Sequence, residues 1–262
     1  MKSSGWKIVI VAAWISLACT TKVSEWVLLN APADRYLLAY FHQGALPDPV
    51  LRQNREIEAK IPQANLLFKQ VLKKDIDRPY YALYYKNRLF ARYDDSRALA
   101  GLTSSPMRKK IAAELMDGQL CVLLYLTTGN SVKDMKGMEV IRKTLSASPF
   151  GKIITLVELD RNDPEEQHFA NMLLNVEEDL KTISEPMLFG IFGQFRVLEP
   201  LLSKGISGEN IRLMIDFFTA DCSCVIKDDL PGISMLCEET WKDPVPARVN
   251  KILDENPQLM HR

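Results

Sequence analysis

No two of the five cysteines in this 262-residue chain are spaced Cys-x-x-Cys. Also missing are the Gly-x-Ser-x-Gly elbow, His-Glu-x-x-His, the Walker loop and Gly-x-Gly-x-x-Gly. Each of those spacings gathers a nucleophile, a zinc-ligand pair or a run of backbone amides, so their absence leaves hydrolase, metalloprotease and nucleotide chemistry without an anchor. Histidine is scarce: His42, His168 and His261 are the whole supply. Glu165 and His168, one helical turn apart, are the nearest thing to a ligand pair, and they read as a solvated polar face. His42, alone at a strand end, reads as a surface residue. No cofactor is expected. Charge of one sign is lacking too, since 33 Lys and Arg balance 33 Asp and Glu. A nucleic-acid footprint needs a basic excess or stripe. Lys73 and Lys74, and Arg108 to Lys110, are short runs flanked by acids, so no nucleic-acid partner is expected.

The start of the chain carries Lys2 and Lys7, then an apolar run from Ile8 to Leu17. At about ten residues the run has the length of a signal-peptide core and is too short to span a bilayer. Ser16 and Ala18 supply small residues at −3 and −1, which would leave Cys19 as the first mature residue. The stretch also resembles the lipobox of bacterial lipoproteins, which implies acylation at Cys19, although Leu17 and Ser16 stand one place away from that pattern. Residues 1–18 are therefore read as a signal and 19–27 as a linker. Export to the bacterial periplasm follows, either in solution or as a membrane-anchored lipoprotein, with the membrane met only through this N-terminal segment. Such a compartment permits disulfides.

Past that point the chain runs one plan twice. The first pass opens with the strand-like Tyr36–Phe41 and continues with a Gly/Pro loop. A helical pattern on Val50, Leu51, Ile57 and Ile61 and a second apolar run ending at Leu72 follow. Two Tyr-rich runs around Lys86, Asn87 and Arg88 then predict a hairpin. Ser105 and Pro106 predict the start of a closing helix and Gly118 its end. In the second pass Gln119–Leu126 and the run around Ile153–Asp160 are strands. Met135, Met138, Ile141 and Leu145 mark one helix face. Asp163 and Pro164 start another helix, a hairpin turns at Gly193 and Gln194, and a closing helix ends near Phe218.

Strand, helix, strand, hairpin and helix, with Pro79 and Pro186 just ahead of the hairpins, resembles the thioredoxin fold. The resemblance implies an α/β chain of tandem thioredoxin-like domains, each a mixed sheet with a βαβ unit, a β-hairpin and a closing helix. The domains would span 28–118 and 119–221, followed by a Cys-containing segment at 222–262. It also implies cis peptide bonds at Pro79 and Pro186. Members with redox activity carry Cys-x-x-Cys after the first strand; here those loops read Phe41–Val50 and Leu126–Met135 and hold no cysteine. What is left is similar to the redox-inactive domains that serve as binding platforms.

Cys121, inside an apolar strand, reads as a buried thiol. Cys222, Cys224 and Cys237 admit three readings. A disulfide to Cys237 would close a loop of about fifteen residues and add roughly 3 kcal/mol in the chain-entropy model, holding Trp241 against the second domain. A strained Cys222–Cys224 ring would be redox-active with Cys237 resolving it. Three thiolates would alternatively suit Cu(I) or, with a fourth ligand, zinc. Tyr80, Tyr81, Tyr84 and Tyr85 form a hairpin cluster of which alternation sends half to the outer face, suited to a protein interface. The sequence thus predicts a non-catalytic binding or scaffold module for another envelope protein or peptide, with thiol–disulfide or copper and zinc handling as the alternative.

Overall fold

The computed structural model describes residues 21–238, 241, 250–252 and 254–257. Two mixed sheets organise them. The first holds β1 (Tyr36–His42), β2 (Leu66–Leu72), β3 (Tyr80–Tyr85) and β4 (Arg88–Tyr93) in the order β2-β1-β3-β4. β1 and β2 are parallel; β3 is antiparallel to both β1 and β4. The second holds β5 (Cys121–Thr127), β6 (Ile154–Asp160), β7 (Met187–Phe192) and three two-residue strands, β8 (Arg196–Val197), β9 (Leu201–Leu202) and β10 (Ile233–Ser234). Its order, β10-β8-β7-β5-β6, repeats the first plan with the same directions, and β9 pairs with β7. The helices are α1 (Val23–Asn30), α2 (Asp48–Lys60), α3 (Pro106–Met116), α4 (Ser131–Ala147), α5 (Gln167–Leu173), α6 (Gly208–Thr219) and α7 (Cys224–Asp228). The chain is α/β, with two tandem thioredoxin-like units.

Local chemistry explains the element ends. Ser105, Asn130 and Ser207 each accept a hydrogen bond from the backbone N–H three residues on, satisfying one of the orphan donors at the starts of α3, α4 and α6. The β3–β4 hairpin turns on Lys86 and Asn87, both in the left-handed region (φ 44° and 67°). Two successive positive φ values match the twist of the flanking strands.

One core runs through both units. Tyr36, Leu38, Tyr81 and Leu83 of the first sheet pack with Val122, Leu124, Phe189 and Phe195 of the second. The opposite face of the second sheet, with Cys121, Leu123, Tyr125 and Phe192, packs under α1, α4 and α6. α2 lies on the core side of the first sheet through Val50 and Ile57. Tyr81 fixes it there, accepting a hydrogen bond from Gln53 and donating one to Asn54, each at 2.9 Å.

Several expectations are corrected. α3 does not close the first unit; it packs on β5 and β6 of the second. Its buried stripe of Ile111, Ala112 and Leu115 leads into β5 through a link of four residues, too short to return to the first sheet. The 19–27 linker is in part helix: Val23 and Val27 of α1 are buried in the second unit's core, and the Glu25 carboxylate accepts a hydrogen bond from the Lys22 backbone N–H at its start. The bonds preceding Pro79 and Pro186 are trans, with no cis peptide among the described residues. Trans is favoured by about 0.5–1 kcal/mol before proline, and an extended trans approach feeds each proline straight into its strand. Met135 leaves the buried face of α4 and is 64% exposed. After residue 222, β10 extends the second sheet beside β8. Residues 1–18 and Cys19 lie outside the described residues.

Candidate functional site

The loops that carry thiols in redox-active thioredoxin domains are built here from other groups. After β5, Asp134 accepts hydrogen bonds at 3.0 Å from both the backbone N–H and the hydroxyl of Thr128, fixing the turn into α4. Pro186 faces a 410 Å³ hollow with Lys133, Lys136, Val140, Ser203 and Lys204. Lys133 pairs with Glu185 at 2.5 Å and holds that carboxyl below its usual range. In the first unit His42 stacks on Tyr40 and lies 3.0 Å from the Gly44 carbonyl, while Gln43 donates to the carbonyls of Lys74 and Ile76. Neither mouth holds a cysteine. These surfaces can bind and position, but they offer no thiol exchange.

The cysteines are separated by the second sheet. Cys222 joins the core under α6, and Cys237 joins the core shared between the units. Alternate residues of β5 line those two cores, so the sheet itself stands between the two thiols. Cys224, two residues from Cys222, heads α7 and is exposed. No disulfide joins Cys121, Cys222, Cys224 and Cys237, and no group of His, Cys, Asp and Glu suited to a metal occurs among the described residues. The staple from Cys222 to Cys237 and the three-thiolate centre needed sulfurs that this fold sends to opposite faces of the second sheet. Burial pushes the Cys121 thiol far up, as expected for a core residue.

The tyrosines divide by strand alternation. Tyr81 and Tyr85 turn into the shared core, and burial pushes Tyr81 up to about 12. Tyr80 and Tyr84 turn the other way, onto a face whose residues form cross-strand rows. One row is Leu67, Leu37, Tyr84 and Leu89; the next is Lys69, Ala39, Ala82 and Arg92; the third is Val71, Phe41 and Tyr80. The large apolar members of these rows join none of the cores among the described residues. Leu67 is 41% and Leu89 54% exposed. Across the third row, Lys73 lies 5.6 Å over Phe41, Phe41 stacks on Tyr80 at 5.0 Å, and the Arg92 guanidinium lies 3.8 Å over Tyr80. The same face of the second sheet, the one turned from its crossover helix, is covered by α3 and α5 with Ile111, Leu115 and Phe169. The first unit has no described helix between β2 and β3 to do likewise.

Reasoning from sequence named Tyr80, Tyr81, Tyr84 and Tyr85 together, without saying which half faces outward, and missed the companions of Tyr80 and Tyr84. The signal was present in β1, apolar at both parities, and in β2, where Leu67, Lys69 and Val71 alternate with the residues that reach the core. It also missed a buried polar group at the seam. Arg108, 1% exposed, donates to the Gly101 and Leu102 carbonyls and lies over Phe169. Desolvation lowers its pKa to about 10, opposed by the nearby Cys237 and Glu166.

No protein-family model matches this chain, and no curated protein matches it. Among solved structures it is similar to the first two thioredoxin domains of Eps1p from Saccharomyces cerevisiae. That match is 12% identical, covers 61% of this chain and 81% of the other, and has a TM-score of 0.23. The corresponding Naumovozyma dairenensis structure is 14% identical over 66% and 85%, with a TM-score of 0.22.

Proposed function

We propose that the chain is an exported, non-catalytic thioredoxin-fold binding protein, tethered at the membrane by its N-terminal segment, that engages another protein of the cell envelope. The observation that carries this reading is the face of the first sheet on which Tyr80, Tyr84, Leu67 and Leu89 lie outside every core of the described residues. Half-buried tyrosines beside an arginine, as Tyr80 stands beside Arg92, are common at an interface centre. The dispersed cysteines and thiol-free loop mouths support binding over redox chemistry. Export rests on the N-terminal pattern of two lysines, an apolar run and small residues ahead of Cys19.

The test is site-specific photo-crosslinking in membrane preparations, with a photoreactive phenylalanine at position 84 and, for comparison, at position 136 beside Pro186. A discrete cross-linked partner from position 84 is expected. A folded protein that cross-links from neither position would remove the reading.

A further inference from the structure

We infer that the open face of the first sheet is a seat for an amphipathic helix that presents an apolar stripe flanked by carboxylates, supplied by a separate protein. This rests on the binding reading above and specifies the occupant.

Three observations converge on a helix with acidic flanks. First, the two units share one plan, and the second shows what this face of the sheet accepts: α3 and α5 lie on it and bury Ile111, Leu115 and Phe169. The first unit presents comparable apolar rows and has no described helix of its own for them. Second, the surface offers two apolar ridges: Ala39 and Ala82 in the middle row are closed off from solvent, and the half-buried Leu37–Tyr84 and Phe41–Tyr80 pairs on either side are what a partner would meet. Third, every charged side chain in the rows is a cation. Lys69 and Arg92 stand at opposite ends of the alanine row, on the two outer strands, and Lys73 continues past Val71. Four strands spaced by about 4.8 Å place those outer strands roughly 14 Å apart, close to the 10–12 Å breadth of a helix with its side chains. Asp94, two residues past Arg92, is paired with Arg78 at 3.1 Å. A partner bringing cations would meet unrelieved repulsion, whereas carboxylates on both flanks would pair with Lys69 and Arg92 as the apolar stripe covers Leu37, Phe41 and Tyr84. A second copy of the chain would oppose cation to cation on this face, which argues for a different molecule.

The probes are two stapled 18-residue helical peptides sharing one Leu stripe, flanked in one by Glu and in the other by Lys, with an oligothymidylate as a third ligand. Binding is read by fluorescence anisotropy to the folded protein at low and moderate salt. Tyr84→Asp and the pair Lys69→Glu, Arg92→Glu serve as variants, with circular dichroism confirming that each folds. The Glu peptide is expected to bind at least tenfold more tightly than the Lys peptide and to weaken with salt. The charge-reversed pair should invert that preference, and Tyr84→Asp should abolish binding. Equal binding of the two peptides, binding of neither, or tighter binding of the oligonucleotide overturns the inference. So does a homodimer that Tyr84→Asp converts to monomer. Failure here with an intact cross-link from position 84 would leave the binding reading standing and remove only its helical, acidic occupant; loss of that cross-link removes both.

Discussion

The carboxylate of Asp34 and the guanidinium of Arg196 stand 3.2 Å apart across the seam between the two sheets. Asp34 also accepts a 2.6 Å hydrogen bond from the Tyr85 hydroxyl, and Lys86 lies 3.3 Å away. Partial burial raises the carboxyl's pKa, but that hydrogen bond and the two cations outweigh it, so Asp34 titrates below its ordinary 3.8. A depressed carboxylate stabilises the fold above its unfolded value and loses that contribution as pH falls through the folded one. The urea midpoint of the wild type should therefore fall as pH drops below 3.8, and Asp34→Asn should be less stable at pH 7 and flatter over that acid range. Parallel curves for the two proteins would deny Asp34 this role.

Arg108 is the most consequential buried polar side chain at the same seam. Its removal strands the Gly101 and Leu102 carbonyls and opens space beside Phe169. Arg108→Ala should cost about 3 kcal/mol in chemical denaturation, the scale of breaking a buried charged network. A loss under about 1 kcal/mol would mean that water replaces the guanidinium cheaply.

Gly190, within β7, is packed tightly by side chains of α6. A Cβ built there would lie 2.6 Å from Phe218 Cζ and 2.9 Å from Met214 Sδ. Both neighbours are core side chains of α6. Gly190→Ala should destabilise by about 1–3 kcal/mol through overpacking, seen as a lower thermal midpoint. An unchanged midpoint would show that α6 shifts freely.

Thiol accessibility separates the cysteines. In the native protein Cys224 should alkylate rapidly, while Cys121, Cys222 and Cys237 should react only on unfolding, given their burial. Peptide mass spectrometry reads each site. A native bridge between Cys222 and Cys237 would contradict the sheet that lies between them.

The two hairpin tyrosine pairs offer an internal control. Tyr84→Ala should change stability by less than about 1 kcal/mol, as befits a residue outside the cores, whereas Tyr81→Ala should cost about 3–4 kcal/mol by opening the shared core. Equal losses at the two positions would mean that Tyr84 is covered.

Much of the architecture was legible in the sequence because its signals are local. The caps at Ser105 and Ser207, the Lys86–Asn87 turn and the apolar runs of β1 and β5 depend on neighbours within a few residues. The repeated order followed from them. Residues whose position depends on long-range packing were not legible. α3 has the start and stop expected of it, yet which sheet it covers depends on the short link to β5, and its amphipathic pattern cannot distinguish two similar sheets. The cysteines misled for a related reason. Sixteen residues of sequence hold three of them, but the chain crosses from one face of the second sheet to the other between Cys222 and Cys237. Period-two alternation in the tyrosine cluster left open which half faces outward, because that depends on which side of the sheet meets the core. Lys69 and Arg92 went unnoticed because their meeting on one row needs the register of four strands.

The continuous core between the sheets has a further consequence for how the molecule comes apart. Tyr36, Leu38 and Leu83 have their hydrophobic neighbours partly in the other half of the chain, and α1, the first described helix, is packed into that other half. Splitting the chain near residue 104 would thus give two fragments with raw apolar surfaces, one of them deprived of α1. Calorimetry on the intact protein should register a single endotherm with both repeats melting together, so that what began as two copies of one plan now denatures as one body.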